Sequence, residues 1–381
     1  MNIRMKQKYI FPALLLLCSA CQQEEWPQPD AASSDVIRFA APAVTVEKST
    51  RSTFYDTFPT DGTFGVIGYC VPYLRGSDTE MDWASGSAFW GNKRGNAFPD
   101  VFYKQTVTYD GAACTYNYDN NGPRKWYNTT ENPEATAPDD YRYTFFAYYP
   151  QNHFMVESPA DASTRGVPKL TFNMPFSADG NVNDKLDDTQ TPDAMIAVVY
   201  NHLRTTGNVG FNFSHIMTGL GFAVNNYNYG GDEETVTVRK VTLSGNFTRS
   251  ITIDFSKSSS EDGFYAYSGT YSGTYVIYND SQGLEVKPNS SVSPIGDKHL
   301  LLLSNATDDT YFGTNVKVHV EYTYKGTEKT ATAERPAGFQ PRLGVRYTAQ
   351  LNFVGETFAL NFIAEDNDFW EDGGDSDISI Q

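Results

Sequence analysis

Apolar and polar residues alternate with a period of two in short runs along most of the chain, and almost no run has helical spacing. Successive side chains of a strand point to opposite faces, so this pattern predicts half-buried β-strands separated by Gly, Asn, Asp and Pro turns. The predicted strands are residues 36–39, 63–69, 101–109, 141–149, 169–172, 195–200, 209–213, 220–224, 235–243, 251–255, 275–278, 300–303, 316–324 and 347–353. The predicted fold is all-β, and the many short strands favour two sandwiches.

The chain is long enough for two domains, since a domain usually contains roughly 100–200 residues. A polar run at residues 201–207 interrupts two apolar stretches and predicts the boundary. Residues 36–206 are therefore predicted to form an N-terminal β-sandwich, and residues 207–381 a C-terminal one. Residues 21–35 are predicted to be a polar tether ahead of both.

Two irregular stretches stand out within these domains. Residues 110–140 are rich in Asn, Asp, Gly, Pro and Thr and predict a long loop, with Trp126 and Tyr127 as its apolar anchor. A short Tyr-Ser-Gly-Thr duplication occupies residues 267–274. It is too short for a solenoid and favours a hairpin instead.

The first residues have the order of parts found in an export signal. Arg4, Lys6 and Lys8 precede an apolar run at residues 10–17 that is too short to span a bilayer. Residues 1–20 are therefore predicted to be a signal peptide that is removed.

The end of this signal contains two cysteines. Ser19 and Ala20 stand directly before Cys21, as lipoprotein processing requires, so Cys21 is the predicted acylated residue. Cys18 is the alternative, but bulky leucines precede it. An ordinary secretory signal with an incidental cysteine is the other interpretation.

The charge balance narrows the possible partners. The chain has 46 acidic and 29 basic residues, a net charge of −17, and loss of the three basic signal residues changes this to −20. Little positive charge is left to hold a polyanion, so nucleic-acid binding is not expected. The acidity favours the solubility of an exposed protein.

Motifs for catalysis or metal binding are missing from the sequence. The five histidines lack ligand spacing, and neither a nucleophile elbow nor a phosphate-binding loop is present. We therefore predict no enzyme activity, no cofactor and no metal site. Residues 366–377 have the composition of a calcium loop but not the ligand order of an EF-hand, which favours a solvated turn.

Cys70 and Cys114 are the cysteines that remain beyond the signal region. They could pair in an oxidising compartment, or both could be buried thiols. The sequence leaves both possibilities open.

Aromatic residues offer candidate adhesive surfaces, because Trp and Tyr rings stack on sugars. Trp126, Tyr267 and Tyr271 are the candidates. The competing interpretation is that these rings form core or cross-strand pairs, as most aromatic residues of a β-protein do.

One segment is specific enough to indicate a family. Trp126 followed by Tyr-Arg-Tyr-Thr-Phe-Phe-Ala-Tyr-Tyr-Pro at residues 141–150 resembles the fimbrillin family of Bacteroidales surface proteins. Weaker matches to the family lie on both sides of this segment, in the expected order. They are at residues 37–39, 50–52, 64–66, 193–195, 211–215, 347–353 and 370–373. Residues 22–25 also resemble the acidic export tag of Bacteroides-type lipoproteins.

This resemblance implies two transthyretin-like β-sandwiches in tandem and a fimbrial subunit exported as a lipoprotein to the outer membrane surface. Such pilins lose their first strand to an arginine-specific protease, and a strand of a neighbouring subunit fills the groove. Carried over to this chain, the cut follows Arg51 and releases Cys21 with its lipid. The alternative is that Arg51 is an ordinary loop residue.

The carboxyl end modifies this expectation. Stalk pilins carry extra strand-forming sequence there, whereas this chain has an acidic turn and a short apolar run at residues 378–380. We therefore predict a tip or accessory subunit, with other fimbrial subunits and a host or bacterial surface ligand as partners. The alternative function is a glycan-binding surface lipoprotein of a nutrient-uptake system.

Overall fold

The prediction of an all-β fold is confirmed. The computed structural model describes residues 35–45, 57–73, 94–127, 141–157, 159, 163, 165–175, 191–257, 262–290, 292–303, 315–336, 339 and 341–364. In these ranges the helical elements are 3₁₀ turns of three residues. None of these turns has the length and apolarity needed to cross a bilayer.

Seventeen strands are described. The first nine are β1 (Ala43–Val44), β2 (Gly62–Pro72), β3 (Phe102–Tyr109), β4 (Cys114–Thr115), β5 (Tyr141–Tyr149), β6 (Phe154–Glu157), β7 (Lys169–Asn173), β8 (Met195–His202) and β9 (Asn212–His215). The others are β10 (Thr218–Asn226), β11 (Val236–Asp254), β12 (Tyr265–Val286), β13 (Ser293–Leu302), β14 (Lys317–Tyr324), β15 (Thr327–Glu334), β16 (Arg346–Val354) and β17 (Thr357–Ala364).

These strands form three sheets. The first has the order β1-β9-β8-β5-β2-β3-β4, with β1 parallel to β9. The second has the order β13-β10-β16-β17, and the third has the order β15-β14-β11-β7-β6 with β12 also paired to β11.

The centre of the first sheet is buried on both faces. All nine residues of its central strand β5 are buried, which explains the nearly unbroken apolar and aromatic sequence of this strand. Phe146 and Tyr148 pack towards the third sheet, whereas Tyr143 and Phe145 face a separate aromatic core. Gly65 of β2 lies against the Tyr148 ring, where a β-carbon would not fit. Two hydrophobic cores thus share one sheet.

The hairpin of β11 and β12 joins two regions of the molecule. The first half of β11 pairs with β14, and its second half pairs with β7, while β12 follows it on the other edge. Ile251 and Ile253 pack in the core with Phe146, whereas Val236 and Val238 pack in a third core against the second sheet. One continuous strand pair therefore contributes to both cores.

Two predicted strands turned out to be this single strand. Residues 235–243 and 251–255 were predicted as separate strands, on either side of a polar stretch that contains Gly245. In the structure this stretch pairs with the Tyr-Ser-Gly-Thr duplication, which lies in β12. Gly245 has a φ of 153° and packs against Val316, so glycine is required there.

The division of the chain at residues 206 and 207 stays a prediction. Residues 169–173 and 250–254 come from the two sides of this position, yet β7 and β11 pair directly. The sheet that covers the N-terminal core therefore contains strands from both predicted domains.

Candidate assembly site

The predicted processing residues, Cys21 and Arg51, lie outside the described residues. The segment between them is described at residues 35–45, which we call the closing segment. The sequence predicts a strand at residues 36–39, but there the structure has single bridges at Val36 and Phe39, and the regular strand β1 lies at Ala43–Val44.

The closing segment places alternate side chains in the protein. Ile37 is 0% exposed and Phe39 is 5% exposed, and both belong to the aromatic core on the outer face of the first sheet. Pro42 is also buried, and Val44 is half-buried. The residues between them are more exposed, as expected of an extended chain with one face in a groove.

One edge of the closing segment bonds to β9 and the residues before it. The amide of Val209 donates to the carbonyl of Arg38 at 2.8 Å, and the amide of Ala40 donates to the carbonyl of Val209 at 2.9 Å. Two more amides follow in the same parallel pattern: Ala43 to Phe211 at 2.9 Å and Thr45 to Phe213 at 2.8 Å. Because these bonds join backbone groups, they do not depend on which side chains the closing segment carries.

The other edge bonds to residues 114–127, which we call the latch loop. The amide of Ile37 donates to the carbonyl of Arg124 at 2.8 Å, and the amide of Trp126 donates to the carbonyl of Asp35 at 3.1 Å. The Cys114 thiol also contacts a carbonyl of the segment, at 3.3 Å. The closing segment therefore has partners on both edges and completes a curled sheet.

Tyr116 connects the latch loop to the closing segment. Its hydroxyl donates to the carbonyl of Ile37 at 2.7 Å and accepts a bond from the amide of Arg124 at 3.1 Å. Burial raises the pKa of Tyr116 to about 12, so the hydroxyl remains a donor at neutral pH.

Arg124 holds the latch loop to the sheet. Its guanidinium donates to the carbonyl of Asp100 at 3.0 Å and to the hydroxyl of Tyr127 at 2.7 Å. The same group lies over the ring of Tyr118, 4.5 Å from its centre. The Asp100 carboxylate accepts a bond from the amide of Cys70 at 2.9 Å, and burial raises the pKa of Asp100 to about 6.

Phe39 makes the main apolar contact of the closing segment. Its ring stacks on Phe211 with centres 5.5 Å apart and meets the rings of Tyr116 and Phe102 at 5.4 and 5.9 Å. Emptying a site of this kind by truncation to alanine costs roughly 3–5 kcal/mol. The pocket thus recognises a large side chain at this position of a strand.

The structure brings together two residues of the motifs that carried the resemblance. Nδ1 of His215 lies 2.9 Å from Oδ1 of Asp193, and the two side chains are 6% and 1% exposed. The pair lies where β8 begins and β9 ends, beside the edge that holds the closing segment. Their separation in sequence gave no signal of this contact.

The predicted adhesive residue Trp126 is 5% exposed. Its ring stacks on His202 at 5.8 Å and meets the edge of Tyr143 at 4.6 Å. In this position it anchors the latch loop, and neither face of the indole is available to a sugar.

The other two predicted adhesive residues lie in β12 and are half-buried. Tyr271 packs on Phe247 at 5.6 Å, and its hydroxyl lies 2.5 Å from that of Tyr275. Tyr267 packs against the core that β11 and β7 cover. The most exposed described tyrosines are instead Tyr227 and Tyr229, which the sequence did not single out.

The cysteines and the metal ligands are the remaining groups that the sequence analysis considered. Cys70 and Cys114 are not joined by a disulfide bond, and burial raises the pKa of Cys114 to about 12. In the described ranges no group of three or more His, Cys, Asp or Glu side chains is placed to hold a metal ion. Residues 366–377 lie outside those ranges.

The fold and this site define a class of β-proteins in which an extended amino-terminal segment completes a sheet made by the rest of the chain. A family model described as fimbrillin-like matches residues 93–363, and the chain belongs to that family. The resemblance seen in the sequence is thereby confirmed.

Solved structures are similar to this chain at low identity. A candidate cell adhesion protein of Bacteroides uniformis is 14% identical, with 83% of this chain and 97% of that chain covered and a TM-score of 0.43. A second, from Bacteroides ovatus, is also 14% identical, with coverages of 88% and 99% and a TM-score of 0.45. No curated protein matches the sequence.

Proposed function

We propose that this protein is a non-enzymatic subunit of a surface fibre that accepts a strand from a neighbouring subunit in place of its own closing segment. The proposal includes export as a lipoprotein acylated on Cys21, display at the outer membrane surface, and a cut after Arg51 that frees the segment together with its lipid. Membership of the fimbrillin-like family supports the fibre.

The observation that carries the proposal is the two-edged binding of residues 35–45. Backbone bonds to residues 209–213 and to the latch loop supply affinity that any extended chain can use. The pockets of Ile37 and Phe39 then select the side chains of that chain. A strand removed from this groove leaves backbone groups and an aromatic pocket that an incoming strand can satisfy.

A cleavage and replacement experiment tests the proposal. The purified chain lacking its signal is treated with an arginine-specific protease, and a new amino terminus at Ser52 is expected. A fluorescent peptide with the sequence of residues 35–45 is then added and should bind the cut chain, which anisotropy measures. Binding by the intact chain should be much weaker, because its groove is filled.

Two controls sharpen this experiment. An Arg51→Ala chain should resist the cut at this position and should not bind the peptide. A peptide with Phe39→Asp should bind the cut chain at least tenfold more weakly. Equal binding of both peptides, or a cut chain that keeps its own segment, would contradict strand replacement.

The tip or accessory position is a separate part of the proposal. Cut chains mixed with one another should remain monomeric in size-exclusion chromatography if this subunit accepts a strand but donates none. Growth into high-mass assemblies of this chain alone would instead place it in the stalk.

A further inference from the structure

Two exposed tyrosines lie at the end of the second sheet. Tyr227 is 52% exposed and Tyr229 is 91% exposed, although most described tyrosines pack into cores or pair across strands. Single exposed apolar side chains are normal on protein surfaces, whereas here two exposed tyrosines stand at alternate positions of one loop. Residues 227–235 are called the tyrosine loop below.

Hydrogen bonds fix the tyrosine loop in place. The amide of Tyr227 donates to the carbonyl of Phe353 at 2.9 Å. Asn228 is 6% exposed, and its side-chain oxygen accepts a bond from the amide of Gly355 at 2.5 Å. Because Asn228 points inward between them, Tyr227 and Tyr229 both point outward. The backbone that carries the two tyrosines is thus anchored by hydrogen bonds.

A polar cleft adjoins the same loop. It has a volume of about 710 Å³, within the range of roughly 300–1,000 Å³ typical of small-molecule sites. Three of its lining residues, Thr323, Thr237 and Glu285, are cross-strand neighbours on β14, β11 and β12. The other lining residues are Asp232, Glu233, Thr235, Lys287, Lys325 and Gly326.

The chemistry of the cleft suits a neutral ligand with many hydroxyl groups. Its lining combines three carboxylates, two ammonium groups and three threonine hydroxyls, so donors and acceptors are interspersed. Opposite charges partly neutralise each other, as in the pair of Lys287 and Asp232 at 3.2 Å. This arrangement offers hydrogen bonds in several directions but little net charge.

The tyrosines and the cleft are close enough to act on one ligand. Gly230 and Gly231 alone separate Tyr229 from Asp232, which lines the cleft. Three residues of extended chain span at most about 11 Å, so the backbones at the two positions lie within that distance. A ligand of a few sugar units bridges such a span.

The position of the tyrosine loop favours access from outside. Strand β10 begins beside Met217, which packs in the core of the first sheet, and ends at Asn226 before the tyrosine loop. The tyrosine loop is therefore at the end of β10 opposite that core, and also away from the closing segment. Loss of the closing segment leaves this surface unchanged.

The geometry points to a carbohydrate-binding site in which Tyr227 and Tyr229 stack on the apolar faces of sugar rings and the neighbouring cleft hydrogen-bonds the hydroxyls of a neutral oligosaccharide. Tyrosine suits this task because its ring is flat and rigid and its hydroxyl remains in water. The site is independent of strand replacement, since it is complete in the uncut chain.

A glycan array tests the site. The intact chain carrying Arg51→Ala is applied to a printed array of neutral, sialylated and sulfated oligosaccharides, and binding to neutral members is expected. The strongest neutral oligosaccharide is then titrated in solution by calorimetry. Replacing both residues, Tyr227→Ala with Tyr229→Ala, should weaken its affinity at least fivefold.

Two control variants make the result specific. Tyr103→Ala removes a tyrosine of β3 that is 38% exposed, and it should leave affinity within twofold. Tyr227→Phe keeps the ring and should do the same. An array without neutral binders, or a double variant that loses less than fivefold, would overturn the site. Neither result affects the peptide replacement assay, so the two proposals fail separately.

Discussion

The first and second halves of the molecule complete their sheets in different ways. In the second half, β14 with β15 and β16 with β17 pair with their nearest neighbours in the chain. In the first half, residues 35–45 bond to groups about 79 and 170 positions away. Residues 35–45 are held by distant neighbours and not by a hairpin, so they can leave their groove without unfolding one, as strand replacement requires.

The test with the largest expected effect compares the variants Phe39→Ala and Phe353→Ala. Both rings are buried, so each change should lower the free energy of unfolding by roughly 3–5 kcal/mol, measured by urea titration. Phe39→Ala should also speed hydrogen exchange at the amides of Ala40, Ala43 and Thr45. Phe353→Ala should leave those amides protected, because Phe353 packs in the core between the second and third sheets. Equal exposure of these amides in both variants would contradict an independently released segment.

A second test uses the buried carboxyl under the latch loop. The pKa of Asp100 is raised to about 6 in the folded chain, so the native state keeps a proton that the unfolded chain loses near pH 4. The contribution of the Asp100 carboxyl to the stability of the fold is fully present below pH 4 and disappears as the pH rises through 6. Asp100→Asn should therefore match the parent at pH 4 and be more stable by about 1–3 kcal/mol at pH 7.5.

Asp110 provides a control, because the pKa of its carboxyl is shifted in the opposite direction from that of Asp100. Bonds from the amides of Ala113 and Ala112 lower the pKa of its carboxyl, so its stabilisation is present above pH 4 and is lost as the pH falls through the lowered pKa. Asp110→Asn should make the chain less stable at pH 7.5. Thermal unfolding across pH 4–8 checks both variants, and equal slopes for the two would contradict the assignment.

The smallest effect is expected from Tyr116→Phe. This change removes the hydroxyl that joins Ile37 to Arg124, and it should cost about 0.5–1.5 kcal/mol. Tyr109→Phe removes an exposed bond to Gly111 and should cost less. The replacement assay adds a second readout, since faster peptide exchange is expected for Tyr116→Phe only. An unchanged rate of peptide exchange would show that the Tyr116 hydroxyl in the latch loop does not slow release of the closing segment.

The sequence predicted strands best where burial decides them. Residues 141–149 were predicted as a strand and form β5 with the same bounds, because both of its faces are apolar. The edge strand β15 was missed, since its Thr, Glu and Lys side chains are largely exposed and show no apolar alternation. Local periodicity cannot detect a strand that is stabilised mainly by backbone bonds to one neighbour.

The site was only partly predictable for a related reason. The closing segment was expected from its alternation and from the family resemblance, but its partners in the latch loop depend on contacts across 79 positions of chain. Trp126 and Tyr229 are both aromatic residues in polar loops, yet one is buried and the other is 91% exposed. Nothing local in the sequence distinguishes them, because tertiary neighbours decide which ring is covered.

The shared hairpin of β11 and β12 has a mechanical consequence. The 19 residues of β11 extend about 65 Å at roughly 3.4 Å per residue, and both cores are built on this ribbon. Tension that pulls the two cores apart along the ribbon loads many cross-strand bonds at once, in shear, instead of opening them one after another. The ribbon therefore carries load directly from one of these cores to the other.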